Sequence, residues 1–237
     1  MNSNAKHTYV LIAGAWHGGW VWRDVIPGLR ELGHAVTAPT LTGLGERRHN
    51  GTGDTDLDSH IDDVIAHIEM EGLRSVTLVG WSYGGMVITG VTARIPDKIK
   101  SLIYLDAFVP EDGKSLVDYV PAEMRAQFDE FVKKDNSIPP IPPEVFGVTA
   151  PTLAEFVTPR LAHQPWQTFY EPVRARPLRQ DISVGYVYCS GWNATPFTQF
   201  YEKFKSDPRV QTAVIDTGHH CMLTEPLKTI EVLANLA

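Results

Sequence analysis

The stretch VGWSYGGMV, residues 79–87, decides how this chain is read. Its centre, Gly80-Trp81-Ser82-Tyr83-Gly84, matches G-x-S-x-G, a pattern short enough to recur by chance. The flanks give it meaning. SVTLVG (75–80) is an apolar run of strand length, and YGGMVITGVTARIP (83–96) reads as a helix closed by Pro96. A serine on so sharp a strand-to-helix turn presents its hydroxyl above the sheet, with a helix N-terminus behind it that favours developing negative charge. Gly80 and Gly84 relieve crowding where the backbone doubles back. The competing expectation is a serine that only caps the helix.

The same alternation extends outward from the turn. TYVLIAG (8–14), HAVTAPT (34–40), IKSLIYLD (99–106), ISVGYVYCS (182–190) and VQTAVID (210–216) read as further strands. Between them lie helical patterns. GWVWRDVIPGLRELGH carries Trp22, Val25, Ile26, Leu29 and Leu32 at helical spacing. DLDSHIDDVIAHIEMEGL carries Ile61, Val64, Ile65 and Ile68, and PFTQFYEKFK and EPLKTIEVLANL follow. Six strands alternating with helices predict an α/β fold, a mainly parallel sheet covered by helices on both faces. Ligands of such sheets bind beyond the carboxyl ends of the strands.

Between 110 and 177 the character changes. Eleven of the seventeen prolines fall there, including IPPIPP at 138–143. No clean strand is visible. The expected organisation is a core made of 1–109 and 178–237, with 110–177 inserted as a mostly helical lobe. Phe128, Phe131, Phe146, Phe156, Trp166, Phe169 and Tyr170 of that lobe divide between its own core and an apolar pocket over Ser82.

Bulk properties narrow the function. At 43% hydrophobic and 21% charged, 237 residues suit one globular domain. A net charge of −7 with dispersed charges disfavours nucleic acid and anionic membranes as partners, leaving a small molecule; a homodimer is compatible with the sequence. Two cysteines, Cys189 and Cys221, are too few for a disulfide framework, so a reduced, cytoplasmic chain is expected. The opening MNSNAKHTYVLIAG holds an apolar run too short for a signal peptide or a membrane span.

A seryl hydroxyl needs a base. DTGHHCMLTEP (216–226) supplies His219 and His220 one turn after the last strand, and spacing alone does not choose between them. An oxyanion needs two N–H donors. Tyr83, directly after the serine, is one candidate, and Ala15 in AGAWHGGW (13–20) is the other. Trp16, Tyr83 and Trp192 fall at strand ends, where a pocket belongs.

With these motifs the chain resembles the α/β-hydrolase superfamily over nearly its whole length. It is similar to the small branch that holds plant methyl-ester hydrolases, hydroxynitrile lyases and bacterial esterases. GAWHGGWVW, GWSYGG and GHHCMLTEP carry the likeness, and PTLTGLGERRH resembles the bacterial members. The resemblance implies the α/β-hydrolase fold with the 110–177 lobe as a cap, and no metal or organic cofactor. It selects His219 as base, through H-x-x-M-L ending at Met222 and Leu223, and leaves His220 to shape the pocket with Trp16 and Trp192. It also exposes a departure. Related esterases carry the triad acid after the strand matching VGYVYC, but here that loop is SGWNATPF, with Trp192 about where the acid belongs and no carboxylate between Asp181 and Glu202. Asp106, ending the preceding strand, is the relocated acid expected here; a turn-capping role is its alternative. The implied activity is serine hydrolysis of a small, neutral or aromatic ester through an acyl-enzyme. Carbamate, lactone and amide hydrolysis use the same apparatus. Plant lyases carry threonine where Gly14 stands and lysine where His220 stands, which turns the expectation away from cyanohydrin cleavage. A non-catalytic receptor of the same fold is the reading from another class.

Overall fold

The computed structural model describes residues 6–192 and 196–237. Its strands and helices are, in chain order, β1 (Thr8–Ile12), α1 (Ile26–Glu31), β2 (Ala35–Thr37), α2 (Leu57–Met70), β3 (Val76–Trp81), α3 (Gly84–Arg94), β4 (Ile99–Leu105), α4 (Ala122–Asp135), β5 (Ser137–Ile138), α5 (Pro151–Val157), β6 (Gln164–Pro165), α6 (Gln167–Tyr170), β7 (Ser183–Cys189), α7 (Thr198–Lys205), β8 (Val210–Ile215), α8 (Cys221–Thr224) and α9 (Pro226–Leu236).

Six strands form one sheet in the order β2-β1-β3-β4-β7-β8, and every neighbouring pair is parallel. The period-two geometry of a strand sends alternate side chains to opposite faces. Tyr9, Leu11, Ile103 and Leu105 therefore join Leu29 of α1 and Ile230 and Leu233 of α9 in one core. Val10, Ile12, Leu102 and Tyr104 join Ile61 and Val64 of α2 and Met86 and Val91 of α3 in the other. Helices thus cover both faces, as the alternation predicted.

α2 starts where its sequence says it should. Asp56 accepts from the Ser59 N–H at 2.7 Å while the Ser59 hydroxyl side receives the Asp56 N–H, a reciprocal capping box. The first helical pattern behaves differently. Pro27 has no N–H and suits only a helix start, so the chain forms a 3-10 turn at Gly19–Trp22 and restarts as the short α1. Leu32, expected on the apolar face, lies after that helix and is 57% exposed.

The chain between β4 and β7 carries α4, α5 and α6, but also two strands that its proline content had hidden. Ser137 pairs with Pro165 and Ile138 with Gln164 in a two-residue antiparallel ribbon. So short a ribbon has room for proline because proline at a strand edge forfeits no ladder bond. Arg47 of the loop after β2 binds the Asp63 carboxylate at 2.9 Å and the Thr40 carbonyl at 2.8 Å. Among the described residues no helix is long and apolar enough to cross a membrane.

Candidate active site

The strand order reverses at β1, with β2 on one side and β3 on the other. Such a switch point opens a crevice at the carboxyl ends of the strands. The AGAWHGGW loop leaves β1 there, and Ser82 leaves β3 there. Ser82 sits at φ +55°, the left-handed backbone that a bulky residue adopts only when its surroundings hold it. Its N–H donates to Leu105 O at 3.3 Å, and its carbonyl accepts from Phe108 at 3.2 Å. The turn is tight enough to dictate its glycines. A β-carbon at Gly80 would stand 2.6 Å from the Gly84 carbonyl, and one at Gly14 would stand 2.9 Å from Cβ of Ser82.

Asp106 follows β4, itself at φ +44° and fully buried. A buried carboxylate must be hydrogen-bonded, and this one is fully engaged. Oδ1 accepts from the Cys189 N–H at 3.1 Å, and Oδ2 accepts from Nδ1 of His219 at 2.7 Å and from the Trp192 indole N–H at 3.2 Å. Because a carboxylate only accepts, the His219 proton rests on Nδ1, leaving Nε2 as the basic nitrogen. Trp192 therefore stands beside the carboxylate and donates to it. Asn193, Ala194 and Thr195 of the same loop lie outside the described residues.

His219 is also fixed by its neighbours. Its N–H donates to Phe146 O, and its carbonyl accepts from the Trp81 indole at 2.9 Å. Phe197 stacks on its ring at 5.0 Å between centroids, with Trp81, Phe146 and Trp192 around it. Trp81 was not singled out by its sequence, although it occupies the variable position directly before the serine.

Ser82 and His219 line one cavity of about 250 Å³, together with Ala15, Trp16, Tyr83 and Trp192. Leu116, Val120, Met124, Phe128, Ile141, Val145, Phe146 and Phe169, all from the 110–177 segment, line it too. Of the aromatics expected to share this role, Phe128, Phe146 and Phe169 do so. Trp166 and Tyr170 pack on each other, and Phe156 packs against Trp20 with the Arg23 and Arg160 guanidinium groups over its ring. Among the described residues the Ala15 and Tyr83 N–H groups meet no acceptor.

His220 is not among the residues lining the cavity, in contrast to its expected place there. It is buried behind it, with Nε2 3.1 Å from Nε2 of His17. The reason is chemical. Nδ1 of His17 donates to the Ala15 carbonyl at 2.6 Å, so its Nε2 is bare and accepts the proton on Nε2 of His220. Nδ1 of His220 then has no proton and no partner. Burial holds both rings neutral: the His17 imidazolium is suppressed to about 4, and that of His220 falls well below its ordinary value. Next to Tyr83, burial likewise lowers His60 to about 4. Its Nε2 donates to Thr42 O at 2.7 Å, so Nδ1 accepts from the Tyr83 hydroxyl at 2.8 Å.

The model of the alpha/beta hydrolase family matches residues 9–232. The chain belongs to that family. It is 40% identical over 242 aligned residues to a carbendazim hydrolyzing esterase of Nocardioides sp. (strain SG-4G), covering 96% of this chain and 98% of that protein. It is 35% identical over 107 residues to an alpha-hydroxynitrile lyase of Arabidopsis thaliana, covering 45% of this chain and 42% of that one. An extracellular alpha/beta-hydrolase from a Paenibacillus species superposes with a TM-score of 0.80 at 24% identity, covering 98% of this chain and 99% of that one. At that identity the superposition speaks for the fold. The chain is a hydrolase. Among the described residues no cluster of three or more histidine, cysteine or acidic side chains is placed to hold a metal.

Proposed function

We propose that this hydrolase cleaves small, neutral carboxylic esters, aromatic ones included, using Ser82 as nucleophile, His219 as base and Asp106 as the acid that orients it. The observation that carries the reading is the 2.7 Å contact between Nδ1 of His219 and Oδ2 of Asp106, with His219 and Ser82 lining one cavity. In this reading Nε2 of His219 takes the Ser82 proton as Oγ attacks the carbonyl carbon. Asp106 stabilises the resulting imidazolium. The Ala15 and Tyr83 N–H groups receive the oxyanion, each worth on the order of 3 kcal/mol in the transition state. The alcohol leaves with the proton from His219, and a water activated by the same nitrogen hydrolyses the acyl-enzyme.

The apolar walls support a neutral substrate, because a charged group would lose its hydration there without a partner. In this reading the 110–177 segment is the cap that makes those walls. The relative of similar length is named an esterase, which favours ester cleavage over cyanohydrin cleavage. Gly14 has no room for the threonine that plant lyases carry, since even a β-carbon meets Ser82.

Fluorophosphonate labelling and hydrolysis of a short p-nitrophenyl ester test the reading together. Wild type should label at one residue and turn over the ester, and Ser82→Ala should do neither. A Ser82→Ala variant that keeps wild-type turnover would end this assignment. A wild type inert to both reagents would bring the receptor reading forward.

A further inference from the structure

We infer that Gln164 is a positioning residue for the oxyanion site, a latch by which the 110–177 segment holds the loop that carries the Ala15 N–H. The inference rests on the ester-hydrolysis reading above.

Trp16 follows Ala15 at φ +65°, an uncommon conformation for a bulky side chain. Such strain, on the order of 1–3 kcal/mol, persists only where neighbours over-determine it. The neighbours here come from one place. The Trp16 N–H donates to Oε1 of Gln164 at 2.9 Å. The Trp16 carbonyl accepts from the Ala162 N–H at 3.0 Å. The Trp16 indole N–H donates to Ile138 O at 3.1 Å. Ile138 and Gln164 are themselves opposite one another in the β5–β6 ribbon, so two of the three bonds go to that ribbon and the third to Ala162, two residues before it.

The orientation of the Gln164 amide is fixed by chemistry. The Thr168 hydroxyl spends its only proton on Pro165 O at 2.6 Å, so its oxygen accepts from Nε2 of Gln164 at 2.8 Å. That turns Oε1 towards Trp16. The amide is fully buried, so no water can replace it cheaply.

The Trp16 N–H and the Ala15 carbonyl belong to the same peptide plane. His17 holds the carbonyl from the core side, and Gln164 holds the N–H from the insertion side. A plane pinned at both ends leaves the neighbouring Gly14–Ala15 plane, which carries the Ala15 N–H, little freedom to swing. Preorganisation of this kind is what makes an oxyanion donor effective. A 1 Å misplacement can cost about a hundredfold in rate.

The test is Gln164→Met, which keeps the volume and deletes the acceptor, compared with wild type per titrated active site. Thr168→Val, which frees the amide to turn, serves as a second variant outside the cavity lining. Turnover of a p-nitrophenyl ester should fall about ten- to a hundredfold in Gln164→Met with KM within about threefold. The inhibition constant of a trifluoromethyl ketone, which binds as an oxyanion, should rise by a similar factor. Hydrogen exchange at the Trp16 amide should accelerate. Thr168→Val should shift all three in the same direction by less, and it decides the matter if Gln164→Met does not fold. A rise in KM alone, or wild-type turnover and inhibition in both variants, overturns the proposal. So does unchanged Trp16 exchange in a folded Gln164→Met. An inert wild type would instead strike the ester reading, because the exchange measurement does not depend on turnover.

Discussion

The cavity has a floor and a roof, and they are built on opposite principles. The floor lies at the strand ends, where Ser82 and Asp106 hold left-handed backbone and His219 meets Asp106 at 2.7 Å. Each is pinned by backbone contacts or by glycines that admit no β-carbon. The roof, drawn from 110–177, presents only apolar side chains, among them Leu116, Met124, Phe128 and Val145. A hydrogen-bonded floor fixes atoms to tenths of an ångström. An apolar roof fixes volume and polarity, which dispersion and the hydrophobic effect read with far less angular demand. In the proposed reading the chemistry belongs to the floor and the choice of substrate to the side chains of the roof that line the cavity.

The largest expected effect is on the floor. Asp106→Asn keeps the shape of the side chain but can hold His219 in the wrong tautomer. Ester turnover should fall by roughly a thousandfold or more, measured beside wild type at neutral pH. Residual turnover within tenfold of wild type would mean that Asp106 serves the turn and not His219.

Next comes the set of neutral histidines behind and beside the floor. His17 and His60 are held neutral down to about pH 4, whereas the unfolded chain protonates them near 6.5. Between those values the unfolded state binds more protons, so stability rises with pH and is lost on acidification. The loss should reach roughly 3 kcal/mol for each ring at pH 4, with His220 adding in the same direction. Urea unfolding at pH 7.5 and 5.0 reads it, and His60→Gln should shrink the difference between the two. Equal stability at both pH values would mean that these rings stay hydrated and protonate freely.

The smallest expected effect is on the roof. Val145 lines the cavity yet is 60% exposed, so Val145→Asp removes little core packing. KM for a neutral aromatic ester should rise severalfold, with kcat nearly unchanged and the melting temperature within a degree or two. A fall in kcat with constant KM would break the division between floor and roof.

Most of the floor was legible before any fold was known. Strand–turn–helix around Ser82 and a histidine after the last strand are local patterns, and local geometry enforces them. Asp106 was legible only as a replacement for an acid missing beside Trp192, and the structure supplies what the sequence lacked: a 2.7 Å contact across 113 residues. His220 illustrates the opposite case. One residue from His219, it was expected in the pocket, but at the N-cap of the short α8 its ring stands edge-on to that of His219 and meets His17 instead. Gln164 gave no signal, because a buried amide becomes informative only when its partner is known.

The sequence by itself determined the alternation that makes a parallel sheet, the strained turn at Ser82 and the loops that meet at the strand ends. These follow from periodicity and from steric limits acting over a few residues. Tertiary structure alone decided where the His220 ring goes, how Asp106 reaches His219 and which side chain meets the Trp16 N–H. Those choices depend on hydrogen bonds between residues far apart in the chain, and such bonds acquire direction and strength only after burial has excluded water.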